Sequence, residues 1–287
     1  MRAKASRLKY IKAEYKDVLE GKKILVETMC PAEVSHFAKR KYEAGKLPKE
    51  TFEALFKEEK KGRTIIIGDM HGCCEAFISL LKKCRLNRKF DTLILLGDAF
   101  DRGPHSWELF MQLQKLEKEM GNRFIYLLGN HDQMLLDANT SSEEARRWRI
   151  NGGLDTQKSF AAHNADLDSV RDWLKEKPYW YETEYYICVH AEFDPLQPDN
   201  RNTLLWERSI YKGTKIYDRK LVIAGHTPLR DVIYIDTEGY EHILKEKEEE
   251  TLLPEKGHMI IDTGYVFGVR MTAMILRENR YRLVSFQ

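Results

Sequence analysis

The sequence predicts an α/β domain over residues 61–287, behind a helical N-terminal extension over residues 1–60. Three observations carry this. From Lys61 onward, short apolar and β-branched runs alternate with amphipathic segments, the pattern of buried strands joined by helices. The first 60 residues are instead rich in Lys and Glu, with Tyr10, Ile11, Tyr15 and Leu19 at helical spacing. A length of 287 residues suits one large domain with a small appendage.

In the extension, Thr51, Phe52, Leu55 and Phe56 continue the helical spacing, while Pro31 and the turn-forming stretch 45–48 divide it into two or three short helices. No chemistry is visible there. In the main domain the candidate strands are residues 64–67, 92–96, 124–128, 185–189, 221–224 and 259–261. Residues 75–85 predict a helix with Phe77, Leu80 and Leu81 on its buried face, and residues 104–120 a second with Trp107, Phe110, Met111 and Leu113. Pro104 suits the first turn of that second helix. Residues 143–175 predict two or three helices, and residues 270–286 a β-hairpin turning near Glu278 and Asn279. The charge cluster 245–250 reads as a solvated loop between two strands.

Composition excludes several classes of function. With 47 Lys+Arg against 45 Asp+Glu, the net charge of +2 gives no reason to expect a nucleic-acid partner, and no basic stretch interleaved with aromatics stands out. The basic N-terminus is not followed by an apolar segment long enough for a signal peptide, nor does any later stretch approach a membrane span. A cytoplasmic protein without a membrane partner is expected. Five cysteines without a CxxC pair suggest neither a disulfide framework nor a structural zinc site, and Cys73 and Cys74 read as small buried thiols at a helix start.

The chemistry follows the strands. Five of the six runs lead directly into a carboxylate, amide or imidazole: Gly68-Asp69-Met70-His71-Gly72, Gly97-Asp98-Ala99-Phe100-Asp101-Arg102-Gly103, Gly129-Asn130-His131-Asp132, Val189-His190-Ala191 and Gly225-His226-Thr227. Strand ends are where α/β folds build sites. Asp69, His71, Asp98, Asn130, His190 and His226 form a set of oxygen and nitrogen ligands without thiolate, which suits manganese, with iron or zinc as alternatives, better than calcium. A carboxylate such as Asp98 can bridge two ions about 3.5–4 Å apart, and a water shared between them becomes a hydroxide nucleophile at neutral pH. Arg102 has the fork geometry to hold two phosphate oxygens. His131 is placed to donate a proton to a leaving oxygen, and Asp101 to orient that imidazole and raise its pKa. His36, His105, His163, His242 and His258 lack this context and read as ordinary core or surface residues.

These residues, in this order, resemble the phosphoprotein phosphatase family of calcineurin-like metallophosphoesterases, whose pattern is GDxHG, GDxxDRG, GNH(E/D), a later His after a strand and a final GH. The resemblance spans residues 64–264. It looks closest to the small bacterial and phage serine/threonine phosphatases, through Trp148 with Asn151-Gly152-Gly153, Leu204-Leu205-Trp206-Glu207-Arg208 and Ile261-Asp262-Thr263-Gly264. It implies the metallophosphoesterase fold, a central β-sandwich flanked by α-helices. It implies one divalent transition ion on Asp69, His71 and Asp98, and a second on Asp98, Asn130, His190 and His226. It makes His131 the general acid with Asp101 as its partner, and Arg102 and Arg208 the phosphate clamp.

The implied substrate is a phosphoprotein or small phosphorylated molecule, cleaved by one in-line displacement. Three departures bear on it: Leu128 stands where many members have arginine, Asp132 replaces the commoner Glu, and Glu192 stands where glycine usually follows His-Ala. Leu128 and Asp132 favour an alternative, a dinucleoside polyphosphate hydrolase, whereas the intact Asp101-Arg102-Gly103 favours the phosphatase. A nuclease-like member would need Gly-His-x-His, and Gly225-His226-Thr227-Pro228 lacks it.

Overall fold

A computed structural model describes residues 62–208 and 218–287, with Gly45 alone ahead of them. The helices expected over residues 1–60 therefore fall outside the described residues. In the first half the elements are β1 (Thr64–Ile67), α1 (Cys74–Cys84), β2 (Thr92–Leu95), α2 (Ser106–Met120), β3 (Phe124–Tyr126) and α3 (Asn130–Asp137). Three helices follow, α4 (Ser142–Trp148), α5 (Leu154–Ala162) and α6 (Asp168–Lys175). Then come β4 (Trp180–Glu182), β5 (Tyr186–Val189), α7 (Arg201–Trp206), β6 (Leu221–Ala224), β7 (Val232–Ile235) and β8 (Glu241–Leu244). The chain closes with β9 (Thr251–Leu252), β10 (Gly257–Ile260), β11 (Met271–Arg277) and β12 (Arg280–Phe286).

The strands form two six-stranded mixed sheets, ordered β3-β2-β1-β11-β12-β9 and β4-β5-β6-β10-β7-β8. Side chains alternate across each strand, and here both faces are covered, which is why the runs are apolar throughout. Ile66, Ile94 and Met274 of the first sheet meet Cys188, Ile223 and Met259 of the second in a core between the sheets. Ile65, Ile67, Leu93 and Leu95 point the other way and pack against helices through Phe77, Leu80, Leu109 and Phe110. On the outside of the second sheet, Leu204 and Leu205 of α7 cover Val189, Val222 and Ala224.

Two details differ from the pattern reading. The second helix begins at Ser106, so Pro104 precedes it. The reason is tertiary: the backbone before the helix is drawn back to the loop after β1, His105 N bonding Gly72 O at 3.0 Å. The buried face of α2 is Leu109, Phe110, Leu113, Leu116 and Met120, leaving Met111 exposed. The three helices over 142–175 and the hairpin of β11 with β12 are as the patterns suggest, with Glu278 left-handed at φ 55° in the turn. Residues 245–249 are exposed between β8 and β9. The thiols of Cys73, Cys74, Cys84 and Cys188 are free, and no described helix is long and apolar enough to cross a membrane.

In each sheet three neighbouring strands run parallel, β1, β2 and β3 in one and β5, β6 and β10 in the other. Parallel strands place their carboxyl ends on one edge, where ligands bind in open α/β sheets. The two edges are stitched together: His190 Nδ1 lies 2.7 Å from Leu96 O, and His226 N donates to Asp69 Oδ1 at 3.0 Å.

Candidate metal centre

All six candidate ligands converge at this double edge and all are buried. The backbone is contorted to bring them there. Eight described non-glycine residues have positive φ, and five belong to the cluster: His71 (42°), Asp98 (50°), Asp101 (72°), Arg102 (67°) and His226 (60°). Such conformations are uncommon outside glycine and gather where function over-determines the chain. Asp98 shows how they are held. Its carbonyl accepts from Met70 N at 3.1 Å and His71 N at 2.9 Å, and its Oδ1 accepts from His131 N at 2.8 Å. Gly129 is required beside it, since a Cβ there would sit 2.0 Å from Asp98 Oδ1.

Asp98 Oδ2 is left between two imidazoles, 3.8 Å from His71 Nε2 and 3.4 Å from His190 Nε2. Asp69 Oδ2 is 3.8 Å from His71 Nε2, and Asn130 Oδ1 is 2.9 Å from His190 Nε2 and 3.0 Å from His226 Nδ1. The tautomers decide what these contacts mean. A carbonyl only accepts, so His190 Nδ1 carries the hydrogen shared with Leu96 O and His71 Nδ1 the one shared with Phe100 O at 2.9 Å. Each Nε2 is then a lone pair. His190 Nε2 faces two further acceptors, Asn130 Oδ1 and Asp98 Oδ2, and the buried His226 turns Nδ1 toward the same Asn130 Oδ1. Acceptors that converge on acceptors fit a cation.

The electrostatics agree. Burial, then the neighbouring Asp262 and Asp98, pushes Asp69 well above the usual carboxylate range, and burial with Asp132 does the same to Asp98. Burial holds His71 and His190 well below the usual histidine range and brings His226 to about 3, with Arg208 adding to the last. Carboxylates short of positive charge and imidazoles kept as neutral bases are the donor set for divalent transition ions. Two groups bring ligand atoms within 4.8 Å of one another, Asp69 with Asp98 and His190, and His71 with Asp98 and His131.

His131 also has a second partner. Its Nδ1 lies 2.8 Å from Asp101 Oδ2, so Nδ1 donates and Nε2 remains for other chemistry. From the sequence, Asp101 is expected to raise this imidazole. It does push upward, but burial outweighs it and the net shift is down. Asp101 is itself secured by residues the sequence reading gave no role: Trp148 Nε1 donates to Oδ1 and Oδ2, both at 3.0 Å, and Thr156 Oγ1 donates to Oδ1 at 2.8 Å.

Arg102 Nη1 contacts His71 Nε2, and its guanidinium carbon lies 5.3 Å from the Phe267 ring centre. Arg208 is near enough to His226 and Asp262 to lower both pKa values. Asp262 is a buried carboxylate in the same cluster, raised by burial to about 6, and it follows the sixth strand run as the other site residues follow theirs. Applying the strand-end rule to that run would have found it. Asp132, noted before only as a departure from Glu, accepts through Oδ2 from Asp98 N at 3.0 Å, Gly129 N at 2.9 Å and Tyr126 Oη at 2.8 Å, and burial raises it to about 7. It braces the loop behind Asp98.

Elsewhere, an open groove of about 490 Å³ is lined by Lys83, Asp231, Lys245, Glu246 and Arg270, but these pair with one another. It contains none of the site residues. Of the histidines set aside, His105, His163 and His242 pair with carboxylates at the surface. His258 is buried, with Nδ1 3.2 Å from Glu192 Oε2. His36 lies outside the described residues.

Several known proteins are similar to this chain. Serine/threonine-protein phosphatase 1 of Salmonella typhimurium is 28% identical over 214 residues, 66% of this chain and 92% of that protein. The symmetrical bis(5'-nucleosyl)-tetraphosphatase of Vibrio cholerae is 30% identical over 130 residues, 45% of this chain and 44% of that one. Among solved structures, a protein serine/threonine phosphatase from Saccharomyces cerevisiae with similarity to human phosphatase PP5 shares the fold, with a TM-score of 0.54 at 12% identity over 80% of this chain and 81% of that chain. The family description of the calcineurin-like phosphoesterases matches residues 62–284. That match takes in every residue of the cluster, and the chain belongs to the calcineurin-like phosphoesterases, enzymes that cleave phosphoesters with divalent metal.

Proposed function

We propose that this chain hydrolyses phosphate monoesters with an activity of the serine/threonine protein phosphatase type. The observation that carries this is the meeting of acceptors at Asp98 Oδ2, His190 Nε2 and Asn130 Oδ1, with the guanidinium groups of Arg102 and Arg208 beside the same cluster. Asp69, His71 and Asp98 would hold one divalent ion, and Asp98, Asn130, His190 and His226 the other, manganese suiting this donor set. Such ions supply Lewis-acid charge, acidifying water and neutralising phosphoryl oxygens.

The remaining work falls to the chain itself. Arg102 forks onto two phosphoryl oxygens and Arg208 neutralises a third, so position and charge are supplied before reaction. His131, oriented by Asp101 through Nδ1, delivers a proton from Nε2 to the departing ester oxygen. Only the protonated imidazole can do this, and the lowered pKa confines that form to more acidic conditions than an ordinary histidine requires. The Salmonella relative, aligned over 92% of its length, supports the phosphatase reading.

A second reading, hydrolysis of dinucleoside polyphosphates, is favoured by Leu128. Its side chain lies in the helix-side core and supplies no cation to a substrate. Initial rates of the manganese-loaded protein on a phosphoserine peptide, p-nitrophenyl phosphate and diadenosine tetraphosphate decide between them. A higher kcat/KM on the peptide than on the tetraphosphate is expected. The reverse order would replace the first reading with the second, and no turnover of any substrate would reject both.

A further inference from the structure

The short turn Tyr265–Phe267 lies between Gly264 and Gly268, both left-handed at φ 66° and 84°. It is pinned at several points. Asp262 Oδ1 accepts from Gly264 N at 2.9 Å, Gly264 O from Phe267 N at 3.0 Å, and Tyr265 O from Gly268 N at 2.8 Å. Tyr265 turns toward Phe286, with ring centres 6.3 Å apart. Phe267 is left 58% exposed.

A single exposed apolar side chain needs no explanation on its own. This one differs in what it stands beside. Its turn is anchored on Asp262 of the buried acidic cluster, and its ring borders the guanidinium of Arg102, the proposed clamp for phosphoryl oxygens. The backbone N of Arg102 donates to Gly152 O at 3.2 Å, and Ile150, two residues before Gly152, is 74% exposed. The arginine is therefore bordered by an aromatic ring on one segment and by a second segment that shows an aliphatic side chain to solvent. A phosphoryl group held by Arg102 would stand near the Phe267 ring, within reach of a substituent turned toward it.

Resting on the monoesterase reading above, we propose that Phe267 is a specificity residue: its ring forms a platform beside the phosphoryl position that favours esters with a planar aromatic leaving group, aryl or arylmethyl phosphates, over saturated ones. The bond changes are those of any monoester. A water oxygen joins phosphorus, the ester P–O bond breaks, and the alcohol leaves with one proton. The ring adds an offset or edge-to-face contact with an aromatic leaving group that a saturated ring does not return, a preference of about two- to tenfold. It also lies beside Arg102 as an aromatic partner for that cation, and the test separates the two effects.

Benzyl phosphate and cyclohexylmethyl phosphate are similar in size, and the difference in acidity of their leaving alcohols is common to every variant, so the change in their ratio on substitution isolates the contribution of the ring. We would measure kcat/KM for both with the manganese-loaded wild type, Phe267→Leu and Phe267→Tyr, confirming unchanged Tm and metal content. The benzyl-to-cyclohexylmethyl ratio is expected to be about two- to tenfold higher in wild type and Phe267→Tyr than in Phe267→Leu. A ratio unchanged in Phe267→Leu, or an equal loss on both esters, overturns the platform while leaving the monoesterase reading standing. Absence of turnover on both esters by the loaded wild type sinks that reading, and the platform with it.

Discussion

Asp101 shows what a single buried carboxylate can organise. Trp148, Thr156 and His131 all donate to it, so both of its oxygens are satisfied and the imidazole is held in one tautomer. Replacing His131 with Asn should leave metal content intact and lower kcat on alkyl phosphates by about 10²–10⁴. Trp148→Phe keeps the bulk of the ring but removes one charge-assisted donor, at a cost of about 1.5–3 kcal/mol in stability. Its kcat on alkyl esters should fall about tenfold, with a smaller loss on p-nitrophenyl phosphate, because a good leaving group needs little proton donation. Equal losses on both classes of ester would show that Trp148 serves stability alone. His131 and Asp101 were legible as a pair from their places after neighbouring strands. The direction of the His131 pKa was not, because burial outweighs the aspartate and burial is a property of the packed molecule.

The same division holds for elements. The strand runs were legible because alternation and β-branching are local, and the helices of residues 142–175 because their spacing is local. The segment Arg149–Gly153 between α4 and α5 was visible only as a motif. Its reason is a close approach: Gly152 sits at φ 110°, and a Cβ there would lie 2.8 Å from Arg102 Cγ and 2.9 Å from Arg102 N. Gly152→Ala should cost about 1–3 kcal/mol from backbone strain. It should also raise KM for a monoester by displacing Arg102, with metal content unchanged. Urea unfolding together with steady-state kinetics checks this, and a variant with normal KM would detach the segment from the phosphate clamp.

Across the whole molecule, the decisive property is a crowd of acids buried where two sheet edges meet. Burial raises Asp132 to about 7 and Asp262 to about 6, and drives Asp69 and Asp98 upward as well. Unfolded carboxylates titrate near about 4, so between about pH 4 and pH 7 these four acids bind more protons in the folded, metal-free chain than in the unfolded one, and their contribution to stability falls as pH rises through that window. The buried His71, His131, His190 and His226, held below the usual histidine range, work in the opposite sense up to about pH 6.5. Bound cations replace the protons on the acids and remove their share of the decline. Manganese at about 100 times its Kd should add about 2.7 kcal/mol, or roughly 5–10 °C in Tm, at pH 7. The gain should be smaller at pH 5, and Asp98→Asn should abolish it. Thermal unfolding of chelated and loaded protein at both pH values checks this; an equal gain at both would remove the acid cluster from the explanation.

The sequence by itself determined the α/β class of the main domain and the residue types at its strand ends, because both follow from short-range periodicity and from the residue that comes next in the chain. Only the tertiary structure decided which oxygen faces which nitrogen, that Trp148 braces Asp101 and that Phe267 borders Arg102. Trp148 and Asp101 are 47 residues apart, and Asp69 and His226 are 157 apart. The first contact exists only once the helices pack on the first sheet and the second only once the two sheets meet, and no local pattern in the chain encodes the geometry of that packing.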